Sequence, residues 1–257
     1  MKVAAYQAPL LPEGSMEAIG LIEQCVRECE RKGVSILCCP EAILGGLADY
    51  SADPARFAIP VDALPATLAP LSSPTVTSII GFTESGASGT LYNSAVVWRH
   101  GQISGVYRKT HPAIRRSVYS PGSEAPVFHA GGLSFGILIC NDSNFPELAR
   151  SIAAQGATAL FIPTNNGLPE AQASLGLNAA ARRTDIALAK DNRVWVIRAD
   201  VAGSNGMLRS FGCSEIVDPE GRVVRQAGTE QDRERVGTSG ELVSLVVVNI
   251  TTKELNG

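Results

Sequence analysis

An α/β sandwich is the fold this sequence predicts, on three observations. The chain opens as strand, helix, strand; short, nearly unbroken apolar runs recur along it; and helical stretches interleave with those runs as far as about residue 200. Apolar runs without alternation are what strands covered on both faces require. A βαβ opening lays a helix over a partly parallel sheet.

Taken in order, residues 2–7 form a first strand. Ser15 is placed to cap a helix with Glu17 in its first turn. Ile19, Ile22, Cys25, Val26 and Cys29 then recur at helical spacing, and Gly33 ends the helix. Residues 34–39 are the next apolar strand. Residues 78–82 and 92–98 follow as strands, and the turn "RHGQ" leads into a third at 103–107. Residues 133–139 read as a strand, 145–155 as a helix and 157–163 as a buried strand. Residues 170–190 are alanine-rich and helical, and "DNRVWVIRAD" returns to a strand. "SEIVDPEGRVVRQ" is a hairpin turned at Asp218-Pro219-Glu220-Gly221. Residues 242–248 are a last strand, while 48–73 show weak periodicity and stay unassigned. No Pro/Gly/Ser-rich linker divides the chain, so residues 1–257 read as one domain.

Composition narrows the function classes. The chain has 257 residues, 45% hydrophobic and 18% charged, with a net charge of −3, an ordinary globular balance without the basic footprint of a nucleic-acid binder. No apolar stretch reaches the ~18 residues of a membrane span, and the N-terminus lacks the apolar core of a signal peptide. The expectation is a cytoplasmic protein with reduced thiols, no nucleic-acid partner and no membrane partner. The six cysteines, at 25, 29, 38, 39, 140 and 213, contain no C-x-x-C, so neither a zinc site nor a disulfide scaffold is expected. H-E-x-x-H, P-loop and G-x-G-x-x-G motifs are absent.

Three reactive side chains stand just past strand ends: Glu41 after "SILCCP", Lys109 after "GQISGVYR" and Cys140 after "LSFGILI". In a largely parallel sheet such ends form the rim where ligands bind. Singly, each has an ordinary reading: a solvated acid, a surface charge, a small core hydrophobe. Together they make a coherent chemistry. A thiol with an ordinary pKa of ~8.5 is mostly protonated at neutral pH, and a glutamate within reach can take its proton as general base. A lysine ammonium and a backbone N–H, that of Asn141, can hold the oxyanion of a tetrahedral intermediate. Asn165, in "TNNG" past another strand, is a further candidate for the pocket wall. His111, just after the lysine, is near enough in sequence to approach the site but is not counted among the candidate site residues. Cys25, Cys29, Cys38, Cys39 and Cys213 read as packing residues.

These segments resemble the motifs of the nitrilase superfamily of carbon–nitrogen hydrolases. "CCPEAILGG" is similar to its glutamate motif, "GVYRKTHP" to its lysine motif and "GILICNDSNFPE" to its cysteine motif, in that order. The likeness continues through "YNSAVVWRHGQISG", "FIPTN", "DNRVWVIRADVAG" and "GCSEIVDPEGRVV", spanning residues 2 to about 225. It implies a four-layer αββα sandwich and a Glu41–Lys109–Cys140 triad. It implies hydrolysis of a small non-peptide amide through a thioester (a thioimidate for a nitrile), with Glu41 activating the hydrolytic water. No metal or cofactor is implied, and a homodimer or larger homo-oligomer is. Glu147 is then a structural neighbour of the cysteine turn.

Two departures from the family pattern bear on substrate. Many members carry a second glutamate about six residues before the Pro-Gly that here is Pro121-Gly122. Arg115 stands at that position, and Glu124 lies on the wrong side of the Pro-Gly. Arg115 suppresses the lysine's charge by like-charge repulsion, pairs with a substrate carboxylate as a bidentate fork, or points to solvent. Asn141 stands where relatives often carry an aromatic residue. The leading expectation is therefore an amidase on a small linear amide, one bearing a carboxylate if Arg115 contributes. Hydrolysis of N-carbamoyl compounds, or a binding protein on this scaffold with weakened catalysis, are the alternatives.

Overall fold

The computed structural model describes residues 1–228 and 244–250. The chain begins with β1 (Lys2–Pro9), α1 (Glu17–Lys32) and β2 (Val34–Cys38). Short helical pieces follow at Ala48–Tyr50, Val61–Ala63, α2 (Leu64–Leu68) and Ala69–Leu71. Next come β3 (Thr77–Ser85), β4 (Leu91–Arg99), β5 (Gln102–Arg108), β6 (Phe128–Ala130) and β7 (Leu133–Ile137). The second half contains α3 (Pro146–Ala154), β8 (Ala159–Pro163), β9 (Leu168–Pro169), α4 (Leu175–Asn192) and β10 (Trp195–Ala199). It continues with β11 (Val201–Ser204), β12 (Leu208–Phe211), β13 (Glu215–Val217), β14 (Val223–Gln226) and β15 (Ser244–Asn249).

The period-2 geometry of the buried strands builds the layers. Ala4 and Tyr6 of β1, Leu37 of β2 and Ile80 and Phe82 of β3 face the buried side of α1, made by Ala18, Ile22, Val26 and Cys29. Their neighbours Val3, Ala5, Ile36, Cys38 and Ile79 point the other way. There they meet Phe135, Ile137, Ala159, Phe161 and Ile197 of a second sheet. On that sheet's far side Leu160, Ile162 and Val196 pack against Ala149 and Ile152 of α3 and Leu188 and Ala189 of α4. The order helix, sheet, sheet, helix is the expected αββα sandwich. No described helix is long and apolar enough to cross a membrane.

One sheet runs β5-β4-β3-β2-β1-β11-β12-β9, with β15 also on β1, and the other β14-β13-β10-β8-β7-β6. Both are mixed rather than largely parallel, which corrects the sequence expectation: β11–β1–β2–β3 and β7–β8–β10 are parallel, and the remaining pairs are antiparallel. The rim survives this because β4 and β5 reverse direction twice, so β5 ends on the same side as β2.

Several local expectations shift by small amounts. Met16, not Ser15, occupies the N-cap of α1, yet the Ser15 hydroxyl still accepts the Glu17 N–H at 3.3 Å. Gly33 closes α1 in the left-handed region at φ +66°, where L side chains are strained. The 48–73 segment contains helical pieces too short to show periodicity, and α4 starts at Leu175 rather than near 170. Of the expected last strand, Leu242 and Val243 lie outside the described residues, and β15 pairs antiparallel with β1.

Candidate active site

The loop after β2 presents Glu41, 2% exposed, through a close backbone crossing. Cys39 N–H donates to Ile79 O at 2.8 Å, Leu44 N–H to Gly81 O at 3.2 Å, and Ala42 takes a positive φ of 45°. A Cβ on Gly81 would stand 2.4 Å from the Pro40 carbonyl and 2.5 Å from the Ala42 nitrogen. The strand under this loop is therefore bare because the loop lies directly on it. Lys109, 3% exposed, leaves β5 with its N–H on Asn93 O and its carbonyl accepting Gly122 N–H, both at 2.8 Å. The Pro-Gly pair thus packs on the lysine backbone; a Cβ on Gly122 would meet Arg108 O at 2.3 Å.

Lys109 Nζ donates to Glu41 Oε1 at 2.6 Å. The same oxygen accepts Asn93 Nδ2 at 2.8 Å, and Glu41 Oε2 accepts the Asn165 N–H at 3.0 Å. A buried ion pair is tolerable when additional hydrogen bonds support it, and Asn93 and Asn165 supply two to the carboxylate. Asn93 Oδ1 stays buried without a partner. Burial alone would lower the Lys109 ammonium's pKa, but Glu41 foremost, then Cys140, outweigh it and hold it above its ordinary value.

Cys140 opens a short helical turn, Cys140–Asn144, with φ +47°. Such a backbone costs ~1–3 kcal/mol in a non-glycine residue and needs support from its surroundings. Asp142, fully buried, supplies part of it. One carboxylate oxygen accepts Tyr107 Oη (2.7 Å) and Ile139 N–H (3.1 Å); the other accepts His111 N–H (2.8 Å) and Thr110 Oγ1 (3.0 Å). One acid thereby ties the cysteine turn to the lysine loop. Burial, and after it the charge of Glu41, push the Cys140 thiol up to about 12, while Lys109 and Arg198 pull it down. At rest Cys140 is therefore a neutral thiol, which needs a proton acceptor before its sulfur can attack.

Glu41, Lys109, Cys140, Asn141 and Asn165 line one cavity of about 260 Å³. Asn93, Asn144, Asn166, Tyr50, Leu168 and Leu177 share its wall. A smaller cavity of about 130 Å³, walled mostly by apolar residues such as Leu10, Ile43, Val201 and Leu208, has Leu47, Tyr50 and Asn165 in common with it. Arg115 is not brought to the site. It is exposed, outside the cavity wall, in a loop held through Ser117 and Val118 on Asp49 and through Tyr119 on Ala48 and Thr83. Of its three sequence readings, the structure favours solvent. The Asn141 side chain is bound to His111 O (3.1 Å) and Asn144 Nδ2 (3.0 Å). His111 stacks on Phe145 at 3.5 Å between ring centroids rather than lining the cavity.

Sequence reasoning missed Asn93, Asp142, Asp200 and the buried pair Arg198–Asp185. A charge inside the apolar run "VWVIRAD" was the available signal for two of them. Asp200 accepts Asn166 N–H (3.0 Å), Asn166 Nδ2 (2.9 Å) and Val201 N–H (2.8 Å), which fixes the loop carrying Asn165. Burial raises its carboxyl pKa to about 6 despite these donors. The folded state then binds the Asp200 proton more readily than the unfolded chain. Its contribution to stability is fullest below about pH 4 and is lost as the pH rises through about 6. Asp200→Asn is expected to flatten that part of the stability profile, read as thermal midpoint against pH from 4 to 7.

The carbon-nitrogen hydrolase family model matches residues 2–247. A hydrolase in the pqqF 5′ region of Pseudomonas protegens is 29% identical over 94% of this chain and 86% of its own length. A nitrilase of Pyrococcus abyssi is 28% identical over 91% and 86%. Among solved structures, the amidase of Nesterenkonia sp. AN1 with acrylamide added at its active site cysteine superposes with a TM-score of 0.78, at 22% identity, over 98% of this chain and 93% of that one. A match to nearly the whole length, over motifs that fold onto one cavity, means that the chain belongs to the carbon-nitrogen hydrolase family.

Proposed function

We propose that the chain hydrolyses a small linear amide by thioester catalysis, with Cys140 as nucleophile, Glu41 as general base and acid, and Lys109 as oxyanion partner. The observation that carries this reading is the buried Lys109–Glu41 contact of 2.6 Å in a cavity that Cys140 also lines. Glu41 takes the thiol proton as sulfur attacks the carbonyl carbon. The resulting oxyanion is held by Lys109 and the Asn141 N–H. Glu41 returns the proton to the departing nitrogen, ammonia leaves, and a thioester remains on Cys140. Glu41 then deprotonates a water that attacks the thioester, freeing the acid and restoring the thiol. Asn93 Oδ1, a buried acceptor without a partner, suits an N–H of the scissile amide.

A volume of about 260 Å³ falls below the ~300–1,000 Å³ of sites for drug-sized ligands, which favours a small substrate. With Arg115 outside the wall, the case for a substrate carboxylate loses the side chain that motivated it; the neighbouring apolar cavity favours an uncharged chain. Asparagines at 93, 141, 144, 165 and 166 around one cavity also suit a ureido group, the second reading. We place the reaction in the cytoplasm, in a single domain and in a homo-oligomer; the six free cysteines agree with a reducing compartment.

A panel of neutral aliphatic amides, ω-amides of dicarboxylic acids and N-carbamoyl amino acids tests this. Neutral amides are expected to turn over fastest, and a preference for carbamoyl compounds would replace the first reading by the second. If nothing is hydrolysed, iodoacetamide decides whether catalysis has been lost. A catalytic Cys140 reacts ahead of Cys25, the other partly exposed thiol, and of the buried four. Equal reactivity with Cys25 supports a binding protein instead.

A further inference from the structure

Arg198 lies near the C-terminal end of β10, 2% exposed, and borders the catalytic cavity. Its guanidinium donates to both oxygens of Asp185, at 2.5 and 2.7 Å, to Thr164 Oγ1 at 2.7 Å and to Ser143 Oγ at 3.2 Å. Two chains of bonds leave this one planar group. Through Ser143, whose hydroxyl donates to Cys140 O at 2.7 Å, it reaches the backbone of the cysteine. Through Thr164 it reaches the acid: the Thr164 carbonyl accepts the Glu41 N–H at 3.3 Å, and the next residue's N–H binds Glu41 Oε2 at 3.0 Å.

We propose that Arg198, neutralised by Asp185 of α4, is a positioning residue that fixes Cys140 relative to Glu41. A buried ion pair is a poor way to gain stability, since apolar residues of similar volume often do as well or better. What the pair supplies that apolar residues cannot is four directed bonds from a rigid fork. Those bonds join the strained cysteine turn, the strand end that holds the acid, and a helix. A lysine keeps the charge and one contact with Asp185 but cannot reach Ser143 and Thr164 together. The proposal rests on Cys140 and Glu41 acting as nucleophile and base.

Three variants test it. Arg198→Lys is expected to lower kcat on the best amide of the panel by roughly 10²-fold, the scale of a small misplacement of reacting groups, with KM nearly unchanged. The paired variant Arg198→Met/Asp185→Leu removes both charges, so it should keep the thermal midpoint and show the same fall in kcat. Iodoacetamide alkylation of Cys140 needs no substrate, so failure of the amidase reading and failure of this proposal come out separately. Its pH profile should move to higher pH in the paired variant and stay in place in Arg198→Lys. Glu41, Lys109 and Asp200 also face the thiol and are untouched in both. Ser143→Ala, which cuts only the branch to Cys140, should slow alkylation without altering the midpoint. A paired variant with unchanged kcat and alkylation profile overturns the proposal. Should that variant fail to fold, Arg198→Lys with unchanged kcat and Ser143→Ala with unchanged alkylation overturn it equally.

Discussion

Cys140→Ala will abolish turnover of every amide the protein hydrolyses, a loss of ~10⁴-fold or more, the scale seen when a covalent nucleophile is removed. The fold should survive. Alanine, like cysteine, has a Cβ and no branch, so it meets the same strain at φ +47°. The bonds that support the turn come from Asp142, Ser143 and Arg198 rather than from the thiol. An unchanged thermal midpoint together with lost activity is the expected pair of results. Activity within tenfold of the parent would remove Cys140 from the reaction.

Glu41→Gln has two separable consequences. Glutamine cannot take the thiol proton, so turnover should fall by ~10²–10⁴-fold. It also leaves Lys109, 3% exposed, as a buried ammonium without its counter-charge. Breaking one side of a buried pair costs about 3–5 kcal/mol, a fall of roughly 10 °C in thermal midpoint for a chain of this size. Lys109→Met in the same chain removes the stranded charge, so Glu41→Gln/Lys109→Met should regain much of the lost stability and none of the activity. Recovery of activity in the double variant would mean that the loss in Glu41→Gln came from distortion rather than from the missing base. Calorimetry and amide turnover on the same preparations separate the two effects.

Much of this architecture is legible in the sequence because it follows from periodicity. The alternate burial of Val3/Ala5 and Ala4/Tyr6 can be expected from a run that is apolar on both faces, and α1 from spacing that ends at a glycine. The positions of Glu41, Lys109 and Cys140 at strand ends are likewise visible before any coordinates, although the sheets prove mixed. What the residues alone do not reveal is long-range. β11 and β12 are four-residue strands that form a local hairpin, and what places it in the sheet is pairing with β1, far away at the start of the chain. Asp142 stands in plain sight beside the cysteine, yet its role appears only when Tyr107 and His111 arrive from another segment. Arg115 illustrates the opposite error. A position inferred by counting back from Pro121-Gly122 says nothing about where the loop between 112 and 120 turns its side chains, and Asp49 and Tyr119 decide that.

The most direct test of the account is the mass of the enzyme during turnover. Acid-quenching the protein within the first turnovers of its best amide, followed by peptide mapping, should find the acyl group of that amide on Cys140 alone. The modification should disappear when excess substrate is removed before quenching. Rapid amide hydrolysis with Cys140 unmodified at every time point, or with the acyl group on another residue, would contradict the thioester mechanism.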